Sequence, residues 1–265
     1  IVRRTLTQLA NWGVMRIHLA GGEPTSLKED LGNYLQAAYD AGQVTSMATN
    51  GILMNQKMAE MILDRDIFSV SFSFDGHNEE TFAAVRGKGL FQKALKGLKV
   101  FKAARDEYRA AGTGNTEISI KPTYTPYTPK EIMQGLIDLS IDVGADSLKF
   151  ANPERCLYHE KGYYGKIRDD YYAMGQYIQE LQEKYKGKLR ISGINNPLLG
   201  GISEIGIPGT KGCIGGQELL TINPDGKLTP CLMHNADLGN IFEFVTLKEA
   251  WDKSAKLKGF RDSLV

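Results

Sequence analysis

The feature that most limits what this chain can fold into is an alternation of short apolar runs with longer stretches of helical period. The runs are "VMRIHLA" (14–20), "VTSMAT" (44–49), "FSVSFSF" (68–74), "EISIKPTY" (117–124) and "SLKFA" (147–151). Between them lie "SLKEDLGNYLQAAYDAG", "NQKMAEMILDRD", "TFAAVRGKGLFQKALKGLKVFKAARDEYRAAG" and "PKEIMQGLIDLSIDVG", with apolar residues three and four apart and mostly closed by glycine. Strand–helix alternation of this kind predicts parallel strands covered by helices, an α/β architecture. After "DDYYAMGQYIQELQEKYKG" the texture changes. Residues 189–210 read as a strand followed by an irregular segment, "ELLTINPDGKLTPC" as a hairpin, and "TLKEAWDKSAKLK" as a helix capped by Thr246 and Glu249. The expected division is 1–189 and 190–265.

Composition removes several classes of partner. The 265 residues carry 32 basic and 31 acidic side chains, a net charge of +1, which leaves no footprint for nucleic acid and no basic patch for a membrane surface. No apolar run approaches the ~20 residues that a spanning helix needs. The start, "IVRRTLTQLANWG", has no signal-peptide h-region and enters in mid-helix, with Leu6, Leu9 and Ala10 at helical spacing. Both ends read as cut, so the expectation is a piece truncated at each end. Three cysteines, Cys156, Cys213 and Cys231, fit a reducing cytoplasm better than a disulfide framework.

In parallel α/β folds, ligands bind where strands run out into the loops that lead to helices. Those ends carry Gly21-Gly22-Glu23-Pro24, then Thr49-Asn50-Gly51, then Ser73 with Asp75-Gly76, then Lys121. Each one alone is an ordinary turn, a helix entry (Ser26 and Glu29 are spaced as a capping box) or a solvated lysine. Their coincidence on consecutive strand ends favours a ligand site. In the third strand Phe68, Val70, Phe72 and Phe74 alternate with Ser69, Ser71, Ser73 and Asp75. One face suits helix packing and the other a polar lumen, whereas a barrel filled for stability carries branched apolar residues inside. The fourth strand repeats the pattern with Ser119, Lys121 and Thr123. Cys213 and Cys231 flank the hairpin and suit either an iron–sulfur site or two buried thiols. Cys156 reads as structural and His18 as a hydrogen-bonded interior residue.

Taken in order, these residues resemble a radical S-adenosylmethionine (radical SAM) enzyme of the SPASM/twitch group. The resemblance rests on Gly21-Gly22-Glu23-Pro24, Thr49-Asn50-Gly51, "SFSFDG", "VRGKGLFQKALKGL", the Cys-X12-Gly-X4-Cys spacing of Cys213, Gly226 and Cys231, and "LGNIFEFVTLKEAWD". It implies a partial (β/α)6 TIM-like barrel lacking its first strand, followed by the start of a SPASM/twitch domain. It implies SAM and a [4Fe–4S] cluster at the open end of the barrel, an auxiliary [4Fe–4S] cluster, and hydrogen abstraction by a 5′-deoxyadenosyl radical. By the same resemblance Gly21, Gly22 and Glu23 receive the methionyl amine of SAM, and Pro24 stiffens the turn. Thr49, Asn50, Ser73 and Asp75 lie around the ribose and methionyl part. Lys121 meets the SAM carboxylate, and Cys213 and Cys231 ligate the auxiliary cluster. No side chain is singled out as catalytic.

The Cys-X3-Cys-X2-Cys loop that defines the family is absent from these residues, as are the later SPASM cysteines. The resemblance points to peptide or protein modification in the full-length enzyme, with an electron donor such as flavodoxin or ferredoxin; some relatives mature haem or cofactor precursors. Two rivals stand beside it: a non-catalytic or degenerate barrel that binds a peptide or small molecule, and a barrel aldolase or isomerase. The latter leaves the Cys213–Cys231 spacing without a role.

Overall fold

The structure is a computed structural model, and it describes residues 2–123, 128–151, 163–193, 215–232 and 234–263, with side chains from 163–172 excluded. Their contacts divide the chain into two compact units. The larger comprises Met15–Pro153 and Tyr164–Ile194; the smaller takes its described residues from 2–14 and from 215 onward.

The larger unit is a six-stranded, wholly parallel sheet in sequential order: β1 (Arg16–Leu19), β2 (Val44–Thr49), β3 (Ser69–Phe72), β4 (Glu117–Ile120), β5 (Ser147–Phe150) and β6 (Arg190–Gly193). This is the partial TIM-like barrel expected of the sequence. Its sixth strand begins at 190, so the sheet runs past the division expected there. Helices follow the strands: α2 (Glu29–Asp40), α3 (Gln56–Leu63), α4 (Glu79–Arg86), α5 (Phe91–Ala110), α6 (Lys130–Asp142) and α7 (Tyr163–Lys184). Residues 81–112, continuous in helical period, form two helices because Gly87 and Gly89 take φ of 97° and 72°. That left-handed pair breaks the α-ladder at little steric cost.

Alternation along the strands sorts the two faces. Met47, Val70, Phe72, Ile118, Ile120 and Leu148 are fully buried on the outer face beneath the helices. Phe72 meets Phe101 of α5 at 5.7 Å, and Phe74, Phe82 and Phe91 form a cluster of edge-on rings. Helix α5 approaches so closely that a Cβ on Gly97 would lie 1.9 Å from the Gly51 carbonyl oxygen. Arg105, also on α5, is buried and bonds Asp146, which in turn accepts from the amide of Ile118 (2.7 Å).

The smaller unit contains α1 (Val2–Asn11), the hairpin β7 (Thr221–Ile222) and β8 (Leu228–Thr229), α8 (Leu247–Lys253) and α9 (Ala255–Asp262). Its core is Leu228, Leu238, Leu247, Ala250 and Leu257, with Leu9 of α1 packed against it. Trp12 and Trp251 meet edge to face at 5.5 Å, and Leu247 N donates to Gln8 Oε1. The opening helix, expected within the barrel domain, thus packs in the unit of the C-terminal residues. Thr246 caps α8 by accepting from Glu249 N, while the Glu249 carboxylate reaches back to Val245 N instead of completing the box. Among the described residues no helix is long and apolar enough to cross a membrane.

Candidate functional site

The C-terminal ends of β1, β2 and β3 bring most of the expected binding residues to one lip of the sheet. Gly21 and Gly22 are exposed, both left-handed (φ 83° and 52°), and a Cβ on Gly22 would meet nothing within 4 Å. Glycine is required there by backbone conformation, and the space before it is open. Pro24 opens a 3₁₀ turn (Pro24–Leu27) whose N-cap is Glu23. The expected Ser26–Glu29 box does not form, because Ser26 Oγ donates back to the Glu23 carbonyl (2.6 Å).

The Glu23 carboxylate ties two loops together. Its Oε1 accepts from Thr25 N (3.1 Å), Thr25 Oγ1 (2.7 Å) and Thr49 Oγ1 (2.5 Å), and its Oε2 accepts from Asn50 N (2.7 Å). Oε2 keeps lone-pair capacity for one more donor. Thr49 is buried and its hydroxyl also accepts from Gly51 N, so it serves the turn. Asn50 Oδ1 caps the same turn through Ile52 N, which leaves its amide nitrogen with no bond among the described residues. Ser73 is half-buried, and its hydroxyl likewise makes no bond among the described residues.

Asp75 faces the protein. Its side chain is only 2% exposed; one oxygen accepts from Arg86 Nε and the other from Thr123 N, each at 2.5 Å. It thereby fixes the loop after β4, which carries Lys121. The partners of the two carboxylates include Thr25 and Arg86, which sequence reasoning did not assign to the site, and Thr123, which it read only as part of the polar face of the fourth strand.

The inner face is polar, but its middle is closed. Ser69 and Ser71 are buried, and Ser71 and Ser119 hydroxyls bond each other at 2.7 Å. Below, Glu117 accepts from Ser147 Oγ (2.6 Å), Lys149 Nζ (3.0 Å) and Arg190 Nη2 (2.5 Å). Burial pushes the Glu117 carboxyl up, but hydrogen bonds from Arg190, Ser147 and Lys149 outweigh it and hold it at about 2. His18 Nδ1 bonds Ser46 Oγ at 2.8 Å. His18, expected in the interior, is exposed; desolvation by the atoms around its ring, followed by the fields of Lys121 and Lys149, lowers it to about 4, so the ring is neutral at pH 7. Lys149, also missed, follows from the same in–out alternation that singled out Lys121.

In the smaller unit Cys231 is half-buried at the exit of β8, while Cys213 and Cys156 lie outside the described residues. Among the described residues no group of three His, Cys, Asp or Glu could hold a metal. One thiol of the expected pair is thus in view, on a hairpin built as its Asn-Pro-Asp-Gly turn predicts, with Gly226 at φ 82°.

Comparison with known proteins places these features. The Radical SAM superfamily model matches residues 2–115, and the SPASM iron–sulfur cluster-binding domain model matches 213–264. A PqqA peptide cyclase of Bradyrhizobium diazoefficiens is 26% identical over 98% of this chain and 66% of its own length. An AdoMet-dependent heme synthase of Methanosarcina barkeri is 26% identical over 97% of this chain and 74% of its own. The crystal structure of Streptococcus suis SuiB bound to S-adenosylmethionine superposes with a TM-score of 0.74 at 22% identity, over 98% of this chain and 59% of that one. That likeness speaks for the fold. The chain spans about two thirds of the length of the first of these relatives. The chain thus carries a Radical SAM superfamily segment at 2–115 followed by a SPASM segment at 213–264.

Proposed function

We propose that the lip of the larger unit binds SAM and that the full-length protein is a radical SAM enzyme that modifies a peptide. The observation that carries this reading is the convergence of the open Gly21–Gly22 turn, Glu23, Asn50 and Ser73 at the C-terminal end of one parallel sheet. The donor set fits: the spare lone pair of Glu23 Oε2 suits an ammonium, and the Asn50 amide and Ser73 hydroxyl suit hydroxyl or carboxylate oxygens. Held by Glu23, Asn50 and Ser73 and bound with a reduced iron–sulfur cluster, SAM would supply hydrogen-atom abstraction from the substrate.

The chain's own residues act by positioning and exclusion. Glu23 holds the β1 and β2 loops in fixed relation, so that the ammonium-binding edge and the Asn50 amide are preorganised. Asp75, clamped by Arg86, does the same for the β4 loop and for Lys121, which we assign to a carboxylate. Cys213 and Cys231 are proposed ligands of an auxiliary cluster. The assignment to a peptide follows from the similarity to a peptide cyclase.

The test is anaerobic reconstitution of the full-length protein with iron and sulfide, followed by assay for 5′-deoxyadenosine under reducing conditions. Assembly of a cluster with no cleavage of SAM overturns the enzymatic reading. Cleavage that no ribosomal peptide accelerates overturns the peptide assignment alone.

A further inference from the structure

Arg261, near the end of α9, is bonded through two of its nitrogens and has no acceptor for the last. Its guanidinium lies over the Trp251 ring at 4.2 Å, with Nε donating to the Gly216 carbonyl (2.7 Å) and Nη1 to that of Trp251 (3.1 Å). Nη2 is buried and makes no hydrogen bond among the described residues. No carboxylate among them pairs with this side chain, and Asp252, whose field reaches it, is taken by Lys248. Buried donors in folded proteins are nearly always paired, and a charged one costs most when it is not. The surroundings of the arginine say which acceptor suits it. Gly216, whose carbonyl it holds, is three residues past Cys213 in sequence. Its φ is 72°, and a Cβ there would lie 2.9 Å from the ring of Phe260. Phe260 in turn meets the His234 ring edge-on at 5.2 Å, and His234 N donates to the Cys231 carbonyl (3.4 Å). The adjacent residues Phe260 and Arg261 therefore tie the glycine that follows Cys213 and the turn that follows Cys231 to one helix.

We propose that Arg261 sets the potential of the auxiliary iron–sulfur cluster, its Nη2 donating a charge-assisted hydrogen bond to the sulfur atoms. This rests on the assignment of Cys231 to that cluster. An iron–sulfur centre ligated by thiolates is anionic and offers sulfur lone pairs, which matches a buried cation short of one acceptor. Reduction adds a further negative charge, so a fixed guanidinium favours the reduced state and raises the midpoint potential. The Trp251 ring and the two carbonyls hold the guanidinium plane, so the remaining NH2 is set in place by the protein itself. The arginine thereby tunes a centre that it does not ligate.

The experiment uses full-length protein, reconstituted anaerobically with iron and sulfide and titrated with dithionite in the presence of redox mediators. The clusters are followed by electron paramagnetic resonance with and without SAM, which perturbs the cluster that binds it. Cys231→Ser identifies the auxiliary signal. In Arg261→Met, reduction of that cluster is expected to be about tenfold less favourable, a midpoint lower by about 59 mV for one electron. Arg261→Lys keeps the charge but not the fork, and its midpoint is expected to fall between. An unmoved midpoint in both variants overturns the inference, even where their melting points fall, since the arginine then serves only the helices. Should neither variant fold, parent protein grown with guanidino-labelled nitrogen-15 arginine decides the matter. A coupling of that nucleus to the auxiliary signal is expected, and its absence overturns the inference. Arg261 variants without effect, where Cys231→Ser removes a signal, sink the arginine's role alone. If Cys231→Ser alters no signal, the cluster assignment of the proposed function fails, and this inference with it.

Discussion

Replacing Glu23 with glutamine separates two roles that one carboxylate combines. The carboxylate accepts four protein hydrogen bonds, three on Oε1 and one on Oε2. In its better orientation a glutamine oxygen takes over the three from Thr25 and Thr49, and its NH2 then meets the Asn50 N–H donor to donor. One charge-assisted bond is lost and a backbone donor is left unpaired, a cost of about 2–3 kcal/mol. In a unit of this size each kcal/mol lowers the melting point by about 2–4 °C, so a fall of roughly 5–10 °C is expected. Differential scanning calorimetry without ligand measures that part. Isothermal titration of SAM into the reconstituted full-length protein measures the other, and affinity is expected to fall by more than stability alone explains. A variant that melts with its parent yet no longer binds SAM refutes the loop-tying role. One that melts early but binds SAM normally refutes the contact with the cofactor.

Three further outcomes follow from the fold. Asp146→Ala removes one of the two carboxylates on buried Arg105, which keeps Asp106, and leaves the Ile118 amide unpaired, so it should cost about 1–3 kcal/mol, read as a lower urea midpoint. The coupled variant Arg105→Met with Asp146→Asn should cost less than the sum of its parts. Gly97→Ala drives a Cβ into the Gly51 carbonyl and should destabilise by about 1–3 kcal/mol by forcing α5 away from the turn after β2, detectable as a lower melting point. Acid should weaken the larger unit in two stages. His18, lowered to about 4 from 6.5, binds its proton in the unfolded chain first, so stability falls between those values. Glu117, held at about 2 against 4.5 when unfolded, contributes stability that is full above 4.5 and lost as pH falls toward 2. Guanidine midpoints measured from pH 8 down to 3 check both, with His18→Gln expected to remove the first stage.

The strand–helix alternation was legible because it is written in local period, and so was the lip, because glycines and polar residues stand out at the ends of apolar runs. What the sequence withheld is non-local. Residues 190–193 have strand character either way, and only pairing with β5 decides that they belong to the sheet. Val2–Asn11 has an ordinary amphipathic pattern, and nothing in it says that Gln8 accepts from an amide 239 residues away. Asp75 shows the same limit within the site. A carboxylate after a strand suggests a ligand contact, but the aspartate turns inward toward a guanidinium eleven residues on and a backbone amide on the next loop. Lys149 was within reach, since the alternation that singles out Lys121 on β4 marks it equally on β5.

The two carboxylates at the lip, Glu23 and Asp75, are both turned to the protein, and this determines what the lip can offer a ligand. Glu23 joins the loops after β1 and β2, and Asp75 joins those after β3 and β4. Each bond crosses between neighbouring loops, so four separate segments are held as two pairs before any ligand arrives. A site so preorganised loses less on binding than one assembled from mobile loops.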